Sequence, residues 1–392
     1  MPMNSKDSLL VITELFLPTK GGTAVWFDTV YRILGGKNIH IVTANVPGAD
    51  DHDEPHPNTI HRINLSRVAW LKPESLVMYI KLLLRTIRLS FQEPFRAVHA
   101  GRVLPEGLVG WVVSRLWKIP LVVYAHGEEI TTWRQAVKFK AMRFTYLRAD
   151  CVVANSEFTR NELLKIGMDP KKILIINPGV DTERFRPGLE VRDLRGALKL
   201  GDKDKLLLSV GRLTRRKGFD QTIKAISDLE KKGMVVHYAI AGIGEDKEYL
   251  SFIAKKYNVT DKVHFLSHVS EADLPRWYNA ADIFIMPNRE IGGDTEGFGM
   301  VFLEAAACEK PVIAGKAGGT GGAVLDGITG IRVDGSALME IADSIYTLVT
   351  DEKISKRLGR NGYLRVHNGF SWDSVANRTR VLNQKLSKGT IL

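Results

Sequence analysis

GGDTEGFGMVFLEAAACEKPVIAG, residues 292–315, is the stretch that most restricts the fold. A polar, glycine-rich turn comes first, residues 300–308 predict a helix, and residues 311–315 predict a buried strand. Gly297 and Gly299 leave backbone N–H groups without side-chain cover, and the helix N-terminus that follows favours negative charge. A turn of this kind, leading into a helix beside a strand, is typical of anion sites in open α/β sheets.

Two glutamates, Glu296 and Glu304, lie in this stretch. If both belonged to one helix they would be about 12 Å apart, because each residue rises roughly 1.5 Å. That distance exceeds the roughly 5–9.5 Å between the paired carboxylates of glycosidases, so a shared acid–base role is disfavoured. Two contacts with one elongated ligand fit better. The alternative is a surface turn with two solvated glutamates, and the neighbouring glycines favour the ligand site.

Short apolar strands alternate with helical segments on both sides of this stretch. The predicted strands are residues 9–16, 39–44, 97–100, 121–125, 151–154, 205–210, 235–241, 263–265, 283–286 and 311–314. The predicted helices between them are residues 23–34, 106–117, 156–166, 219–231, 247–257 and 271–280. Repeated strand–helix units predict parallel sheets. The loop-like residues 177–187 and the charged residues 188–204 divide the units into two doubly wound domains with a cleft between them.

The size and cysteine content fit a two-domain protein of a reducing compartment. A chain of 392 residues that is 44% hydrophobic can bury more than one core. Cys151 and Cys308 lie in apolar runs and predict buried thiols rather than a disulfide or zinc site. The first residues have no signal-peptide pattern, and no run approaches about 18 apolar residues. We therefore expect a cytoplasmic protein.

The net charge of +11 lies mostly in residues 62–148, which contain 15 Lys and Arg against 5 Asp and Glu. Such a field would attract anionic lipid, nucleic acid or a phosphorylated substrate. Within it, residues 75–91 predict a helix that carries Lys81, Arg85 and Arg88 on one face. This segment is either a core helix with one solvated stripe or a helix that rests on an anionic membrane surface. The sequence leaves both possibilities open.

A second candidate site follows the strand in LLLSVGRLTRRKG, residues 206–218. Gly211 ends the strand, and Arg212 and Lys217 lie in the loop before the next helix. Cations at this edge can neutralise a diphosphate, including the charge that develops as it departs. An ordinary basic loop is the alternative, since Arg215 and Arg216 are also present.

Two nucleotide-binding fingerprints are excluded. The order of residues in 206–218 is not that of a Walker A loop, and AGIGED, residues 241–246, lacks the third glycine of the dinucleotide fingerprint because Lys247 takes its place.

Two features of the first half can also contact a ligand. The loop PTKGG, residues 18–22, can bring bare backbone at Gly22 close to a phosphate or a sugar, or it is a plain tight turn. His126 follows an apolar strand and precedes Gly127. Its imidazole either binds a substrate or satisfies a neighbouring carbonyl group.

Seven segments in order resemble family 4 of the retaining glycosyltransferases, which have the GT-B fold. They are PTKGG (18–22), YAHGEE (124–129), NSEFTR (155–160), NPGVDTERFRP (177–187), SVGRLTRRKG (209–218), the segment with Glu296 and Glu304, and FSWDSVANRTR (370–380). Residues 288–305, NREIGGDTEGFGMVFLEA, are most similar to the phosphatidylinositol alpha-mannosyltransferase branch, which uses GDP-mannose. The resemblance implies two Rossmann-like domains that face each other across a cleft.

The resemblance also implies roles for single residues. Catalytic contacts are implied for His126, Arg212, Lys217 and Glu296, and donor contacts for Gly22, Gly211, Val269, Phe298, Gly299 and Glu304. Arg212 and Lys217 would hold the diphosphate, and His126 would contact the transferred sugar. Glu296 and the amides of 298–299 would bind the sugar hydroxyls, Glu304 the ribose, and backbone near Val269 the base. The family often has Gly-Gly-x-Pro-Glu after the next strand, whereas this chain has Gly321 and Gly322 in place of Pro-Glu.

The expected enzyme moves a hexose, best mannose from GDP-mannose, to a lipid or saccharide hydroxyl with retention of the α configuration and no obligatory metal. Residues 1–187 would bind the acceptor, 188–365 the nucleotide sugar, and 366–392 would cross back to the first domain. The basic first domain would allow peripheral contact with the inner face of an anionic membrane. Alternatives are a transferase for UDP-glucose or UDP-GlcNAc, a sugar-nucleotide epimerase, and a nucleic-acid-binding protein, for which no recognised motif is present.

Overall fold

The polypeptide folds into two units, Met1–Pro178 together with Trp372–Leu392, and Gly179–Ser371. The computed structural model describes residues 8–65, 76–133, 135–201 and 203–387. Ser75 and residues 388–392, which the sequence placed in a helix and in the C-terminal tail, lie outside these ranges. The acceptor-binding and nucleotide-sugar-binding roles of the two units remain predictions.

The first unit is built on a seven-stranded parallel sheet with the order β3-β2-β1-β4-β5-β6-β7. Its strands are β1 (Leu9–Ile12), β2 (Ile39–Ala44), β3 (Thr59–Ile63), β4 (Ala97–Ala100), β5 (Leu121–Ala125), β6 (Cys151–Ala154) and β7 (Ile173–Ile175). Its helices are α1 (Gly22–Leu34), α2 (Ala49–Asp53), α3 (Leu76–Gln92), α4 (Leu108–Trp117), α5 (Glu128–Thr132), α6 (Ala136–Arg148) and α7 (Glu157–Lys165).

The second unit is built on a six-stranded parallel sheet with the order β10-β9-β8-β11-β12-β13. Its strands are β8 (Lys205–Val210), β9 (Val236–Ala241), β10 (Val263–Ser267), β11 (Ile283–Met286), β12 (Val312–Gly315) and β13 (Ile331–Val333). Its helices are α8 (Arg192–Ala197), α9 (Phe219–Lys231), α10 (Lys247–Lys256), α11 (Leu274–Ala280), α12 (Met300–Ala307), α13 (Thr320–Ala323), α14 (Leu338–Thr350) and α15 (Glu352–Gly369). The last helix, α16 (Trp372–Ser387), packs against α1 in the first unit.

Both sheets are doubly wound, which confirms the predicted fold class. The strand order reverses between β1 and β4 in the first sheet and between β8 and β11 in the second. Ligands of open α/β sheets bind outside the carboxyl ends of the strands at such a reversal. The loops that follow β8 and β11 are the two segments that the sequence singled out, so the topology places them side by side.

The strands at the centre of each sheet were predicted, whereas β3, β7 and β13 were not. All three lie at the edge of a sheet, and β3 and β7 are partly exposed throughout. The predicted strand at residues 9–16 is shorter in the structure, because β1 ends at Ile12. Cys151 and Cys308 are buried free thiols, as predicted. Among the described residues, no helix has both the length and the apolar composition needed to cross a bilayer.

Candidate active site

The loops after β8 and β11 are locked together at their backbones. The basic turn Arg215–Lys217 is a single 3₁₀ turn, and Gly218 follows it with φ of 78°. A Cβ atom at Gly218 would lie 2.1 Å from the carbonyl oxygen of Pro287, so glycine is required by this close approach. The N–H of Arg289 donates to the carbonyl of Arg216 at 2.8 Å. The basic turn is therefore fixed against the segment that leads to Glu296.

Glu296 is the centre of a nearly buried ion cluster. Its Oε2 atom lies 2.5 Å from Lys217 Nζ and 3.0 Å from Arg216 Nη1, and the three side chains are 11–16% exposed. Arg216 Nε also lies 3.2 Å from Asp294 Oδ2. Burial opposes ionisation of Glu296, but the charges of Lys217 and Arg216 outweigh it and hold the pKa of the carboxyl below its usual value. Glu296 is thus an ionised group that aligns two cations.

The structure brings Lys217 and Glu296 together and places Arg212 differently. Arg212 is exposed, and within the described part of the chain no ion pair includes it. Arg216 instead joins Lys217 on Glu296, although the sequence analysis treated this residue as a sign of an ordinary basic loop. Nothing in the spacing of three consecutive basic residues distinguishes Arg216 and Lys217, which contact Glu296, from Arg215, which pairs with Asp246. The N–H of Gly211 donates to the carbonyl of Ala241 at 3.0 Å, so a donor contact at Gly211 would use its bare Cα.

The glycine-rich turn ends at the N-terminus of α12, as predicted. Gly299 has φ of 89°, and a Cβ atom there would lie 2.5 Å from the ring of Phe302. The side chain of Phe298 is buried and stacks with Phe370 at a centroid distance of 6.3 Å. Phe298 and Gly299 therefore contribute backbone rather than side chains to this surface, next to the positive end of the α12 dipole.

The two glutamates do not share a helix, as the predicted helix start at residue 300 implied, so the distance of about 12 Å for a shared helix does not apply. Glu296 lies in the turn before α12, and Glu304 lies within the helix α12 itself. Tyr278, which the sequence analysis missed, donates its hydroxyl to Glu304 Oε2 at 2.6 Å. Burial raises the pKa of the Glu304 carboxyl. Their separate roles now rest on these different contacts rather than on spacing.

The loop with Gly321 and Gly322 supports the site through its backbone. The N–H of Gly319 donates to the carbonyl of Glu296 at 2.7 Å. Arg365 donates to the carbonyl of Gly322 at 2.7 Å, and a Cβ atom at Gly321 would lie 3.1 Å from Arg332 Nη1. Arginine contacts thus hold this turn where the family often has Pro-Glu.

Val269 lies two residues after β10, and its side chain is partly buried against the core of the second unit. A contact with a nucleobase at this position would therefore come from the backbone, as the sequence analysis expected.

In the first unit, His126 follows β5 and is held on several sides. Its Nε2 atom lies 2.8 Å from the carbonyl oxygen of Gly101, and its backbone N–H donates to Glu129 Oε1 at 2.9 Å. The carbonyl contact considered from the sequence is therefore present. Burial lowers the pKa of His126, so the imidazole is neutral and Nε2 carries its proton. Trp26 of α1 packs edge-on against this ring at 6.1 Å, and Gly22 is exposed at the start of the same helix.

Comparisons with known proteins identify the family of the chain. Residues 21–184 match the family model "Glycosyltransferase Family 4", and residues 190–365 match "Glycosyl transferases group 1". The chain is 30% identical over 368 residues to the GDP-mannose-dependent alpha-(1-6)-phosphatidylinositol monomannoside mannosyltransferase of Mycolicibacterium smegmatis, covering 93% of this chain and 95% of that protein. The chain belongs to glycosyltransferase family 4. This family 4 glycosyltransferase is a hexosyltransferase that uses a nucleotide-sugar donor.

One further relative and two solved structures are also similar to the chain. A D-inositol 3-phosphate glycosyltransferase of Streptomyces bingchenggensis is 31% identical over 303 residues, which is 72% of this chain and 65% of that protein. The structure of sucrose-phosphate synthase from Thermosynechococcus elongatus superposes with a TM-score of 0.83 at 21% identity, covering 98% of this chain and 100% of that one. The Anabaena protein HepE, solved with UDP and glucose, gives a TM-score of 0.81 at 18% identity, covering 96% and 99%. These structures establish the GT-B fold.

Proposed function

We propose that this glycosyltransferase moves mannose from GDP-mannose to a hydroxyl of a phosphatidylinositol-type glycolipid, with retention of the α configuration. The observation that carries the proposal is the cluster of Glu296, Lys217 and Arg216 below the N-terminus of α12. It offers cations, a carboxylate and helix N–H groups at the reversal point of one sheet, where a sugar diphosphate would be bound. The similarity to the Mycolicibacterium enzyme supports mannose as the sugar and a lipid as the acceptor.

The cations would stabilise the departing diphosphate. Lys217 and Arg216 are aligned before the donor binds, so they need little reorganisation as negative charge develops. Arg212 is exposed and would turn toward the diphosphate when the donor arrives. The acceptor hydroxyl would then attack from the face that the diphosphate leaves, which retains the configuration.

Carboxylates and the histidine would hold the sugar hydroxyls. Glu296 would accept hydrogen bonds from the transferred sugar, and Glu304 would accept one from the ribose, with Tyr278 fixing the carboxylate orientation. Because Nε2 of His126 is used on Gly101, its Nδ1 atom would accept a hydrogen bond from a hydroxyl of the transferred sugar.

An apolar stripe on α3 supports a lipid acceptor and peripheral membrane contact. Leu76, Ile80 and Leu84 recur every four residues on one line of the helix and are 39%, 48% and 64% exposed. Phe91, near the end of the helix, is 80% exposed. Of the cations predicted to form a solvated stripe, Lys81 donates to the carbonyl of Asn64 and Arg85 contacts His61. The outward face of α3 is therefore apolar with cations beside it, which suits an anionic bilayer surface.

A thermal-shift panel with GDP, UDP and ADP sugars tests the donor. We expect GDP-mannose and GDP to raise the melting temperature, because a ligand that binds the native state stabilises it by mass action. A Lys217→Met variant should lose this shift. Stabilisation by UDP sugars alone would refute the mannose proposal and identify a UDP-hexose transferase, and incorporation of label from GDP-mannose into extracted lipid would verify the acceptor class.

A further inference from the structure

A continuous network of charged side chains holds both ends of the loop that joins β1 to α1. This loop contains PTKGG, residues 18–22, and Gly22 is its proposed donor contact. The network consists of Arg62 on β3, Asp53 and His52 on α2, and Asp28 on α1. None of these four residues belongs to the segments that resemble family 4.

Arg62 holds the first end of the loop. Its Nε and Nη2 atoms donate to the two oxygens of Asp53 at 2.8 and 2.7 Å, which is a bidentate pair. Nη2 also donates to the carbonyl of Leu17 at 2.5 Å, and Nη1 donates to the carbonyl of Ala44 at 2.9 Å. The side chain of Arg62 is 10% exposed, so these contacts are largely shielded from water. Leu17, the residue before the glycine loop, is thereby fixed to α2.

Asp28 holds the other end, in the second turn of the helix that begins at Gly22. Its carboxylate is 5% exposed and faces Arg32 Nε at 3.2 Å and His52 Nε2 at 2.8 Å. Burial raises the pKa of the Asp28 carboxyl, but the contacts with His56, whose Nε2 lies 3.3 Å from Oδ1, and with Arg32 and His52 outweigh it and hold that pKa below its usual value. An ionised Asp28 ties α1 to α2.

His52 is the link between the two ends. Its Nδ1 atom lies 2.8 Å from Asp53 Oδ1, and its Nε2 atom lies 2.8 Å from Asp28 Oδ1. A neutral imidazole has one N–H and can donate to one carboxylate, whereas an imidazolium donates to both. Nε2 also lies 3.2 Å from Arg32 Nη2, which can only donate, so a neutral His52 that donates from Nδ1 to Asp53 can accept from Arg32 at Nε2. The charged and titratable groups that face His52 are Asp28 and Arg32 from α1, Asp53 on its own helix, His56 from the turn after α2, and Arg62 through Asp53.

The same residues could be taken for a metal site, since ligand atoms of Asp28, His52 and His56 lie within 4.8 Å of one another. The chemistry of His56 disfavours this. The N–H of Asn58 donates to His56 Nδ1 at 3.2 Å, so Nε2 of the neutral ring carries the proton and has no lone pair for a metal. Arg32 adds a positive charge beside the same carboxylate. The cluster therefore suits a hydrogen-bonded network around His52 better than a metal ion.

We propose that Arg62, Asp53, His52 and Asp28 are positioning residues that hold the glycine loop at Gly22 in its donor-binding form. The proposal rests on the proposed role of Gly22 as a donor contact. It predicts that loss of one contact of the network weakens donor binding more than it slows the chemical step.

A His52→Gln variant tests the network, with His40→Gln as its matched control. His40 also lies in the first sheet and contacts another histidine, His61, at 3.1 Å. We expect hydrogen exchange at residues 13–25 to rise several-fold in His52→Gln and to stay unchanged in His40→Gln. The KM for GDP-mannose should rise about tenfold, which is the size expected for one lost charge-assisted hydrogen bond, with a smaller change in kcat.

A second variant and a metal control complete the test. Asp53→Asn should give the same loop exchange as His52→Gln, which separates loss of the network from misfolding at one position. Unchanged exchange in both variants would overturn the inference whatever the activity. Raised hydrogen exchange at residues 13–25 with an unaltered KM for GDP-mannose would refute the role of Gly22 as a donor contact. The network would then stabilise the loop without affecting donor binding. A rise in melting temperature on adding zinc sulfate, lost in His52→Gln, would show a metal site and also overturn the inference.

Discussion

Three basic residues in one turn of the second unit have different partners, and this difference separates Arg215 from the two cations of the proposed donor site. Arg215 pairs with Asp246 at 3.2 Å, and its guanidinium lies 3.3 Å from the ring centroid of Tyr249. Arg216 and Lys217 instead share the Glu296 carboxylate. Arg216 also pairs with Asp294, so two carboxylates balance these two cations. The cluster therefore offers a diphosphate aligned donors, and further positive charge would come from the exposed Arg212 and the N-terminus of α12.

The contrast between neighbours gives a sharp mutational test. Arg216→Met should lower kcat about a hundredfold, because one aligned group that stabilises the departing charge is lost. Arg215→Met removes an equal charge from the same turn and should leave kcat unchanged. Steady-state assays with GDP-mannose measure both, and melting temperatures verify that both variants fold. Equal losses in the two variants would mean that the turn acts through its overall charge and that the Glu296 contacts are unimportant.

The site residues that could be predicted from the sequence are those whose residue type is required by the local backbone conformation. Gly299 needs a positive φ at the start of α12, and a glycine turn before a helix is visible in the sequence. Arg216 and Tyr278 act through contacts with Glu296 and Glu304 that lie 80 and 26 positions away in the chain. Such contacts depend on which strands become neighbours, and no local pattern encodes them.

At the level of secondary-structure elements, the strands that could be predicted are those whose residues are buried along the whole strand. The central strand β5 is LVVYA and is buried along its whole length, so it appears as a continuous apolar run. The edge strand β3 is TIHRI, and each of its residues is partly exposed. An edge strand has one neighbour and one open side, so polar residues are accepted and the apolar pattern is lost. The fold class was predicted correctly although the edge strands were missed, because the reversal of strand order lies between central strands.

The outward stripe on α3 predicts binding to anionic vesicles. Replacing Ile80 and Leu84 by Ser should lower the fraction that sediments with phosphatidylglycerol vesicles about tenfold, because two partly inserted aliphatic side chains are lost. Phe252→Ser is the matched control, since Phe252 is 60% exposed on α10 of the other unit. Binding of the wild type to phosphatidylcholine should be weaker, because Arg88 and its neighbours then find no anionic lipid. Equal sedimentation of the double variant and the wild type would assign the stripe to another partner.

At the scale of the whole molecule, the two units repeat one strand order and place a histidine pair at the same position in each. His40 and His61 bridge β2 and β3, and His237 and His264 bridge β9 and β10. Burial lowers the pKa of all four, and burial with the nearby charge of Arg85 brings that of His61 to about 4. Each pair lies between the outermost strand of its sheet and the next strand inward.

These pairs predict a loss of stability in mild acid. Below about pH 6.5 the unfolded chain binds protons at these histidines that the native state does not, so the free energy of unfolding falls as the pH falls toward about 4. The carboxylates with lowered pKa contribute only below about pH 4.3. Between about pH 6.5 and about pH 5, buried His56, His99 and His126, whose pKa burial also lowers, act in the same direction as the pairs. Glu106, whose pKa burial raises to about 7, acts in the opposite direction. Urea unfolding midpoints measured across that interval should decrease in the wild type and decrease less in a His61→Gln, His264→Gln variant. His367→Gln, an exposed position on α15, should behave like the wild type. An equal decrease in the double variant would show that other groups cause the acid sensitivity of both sheets.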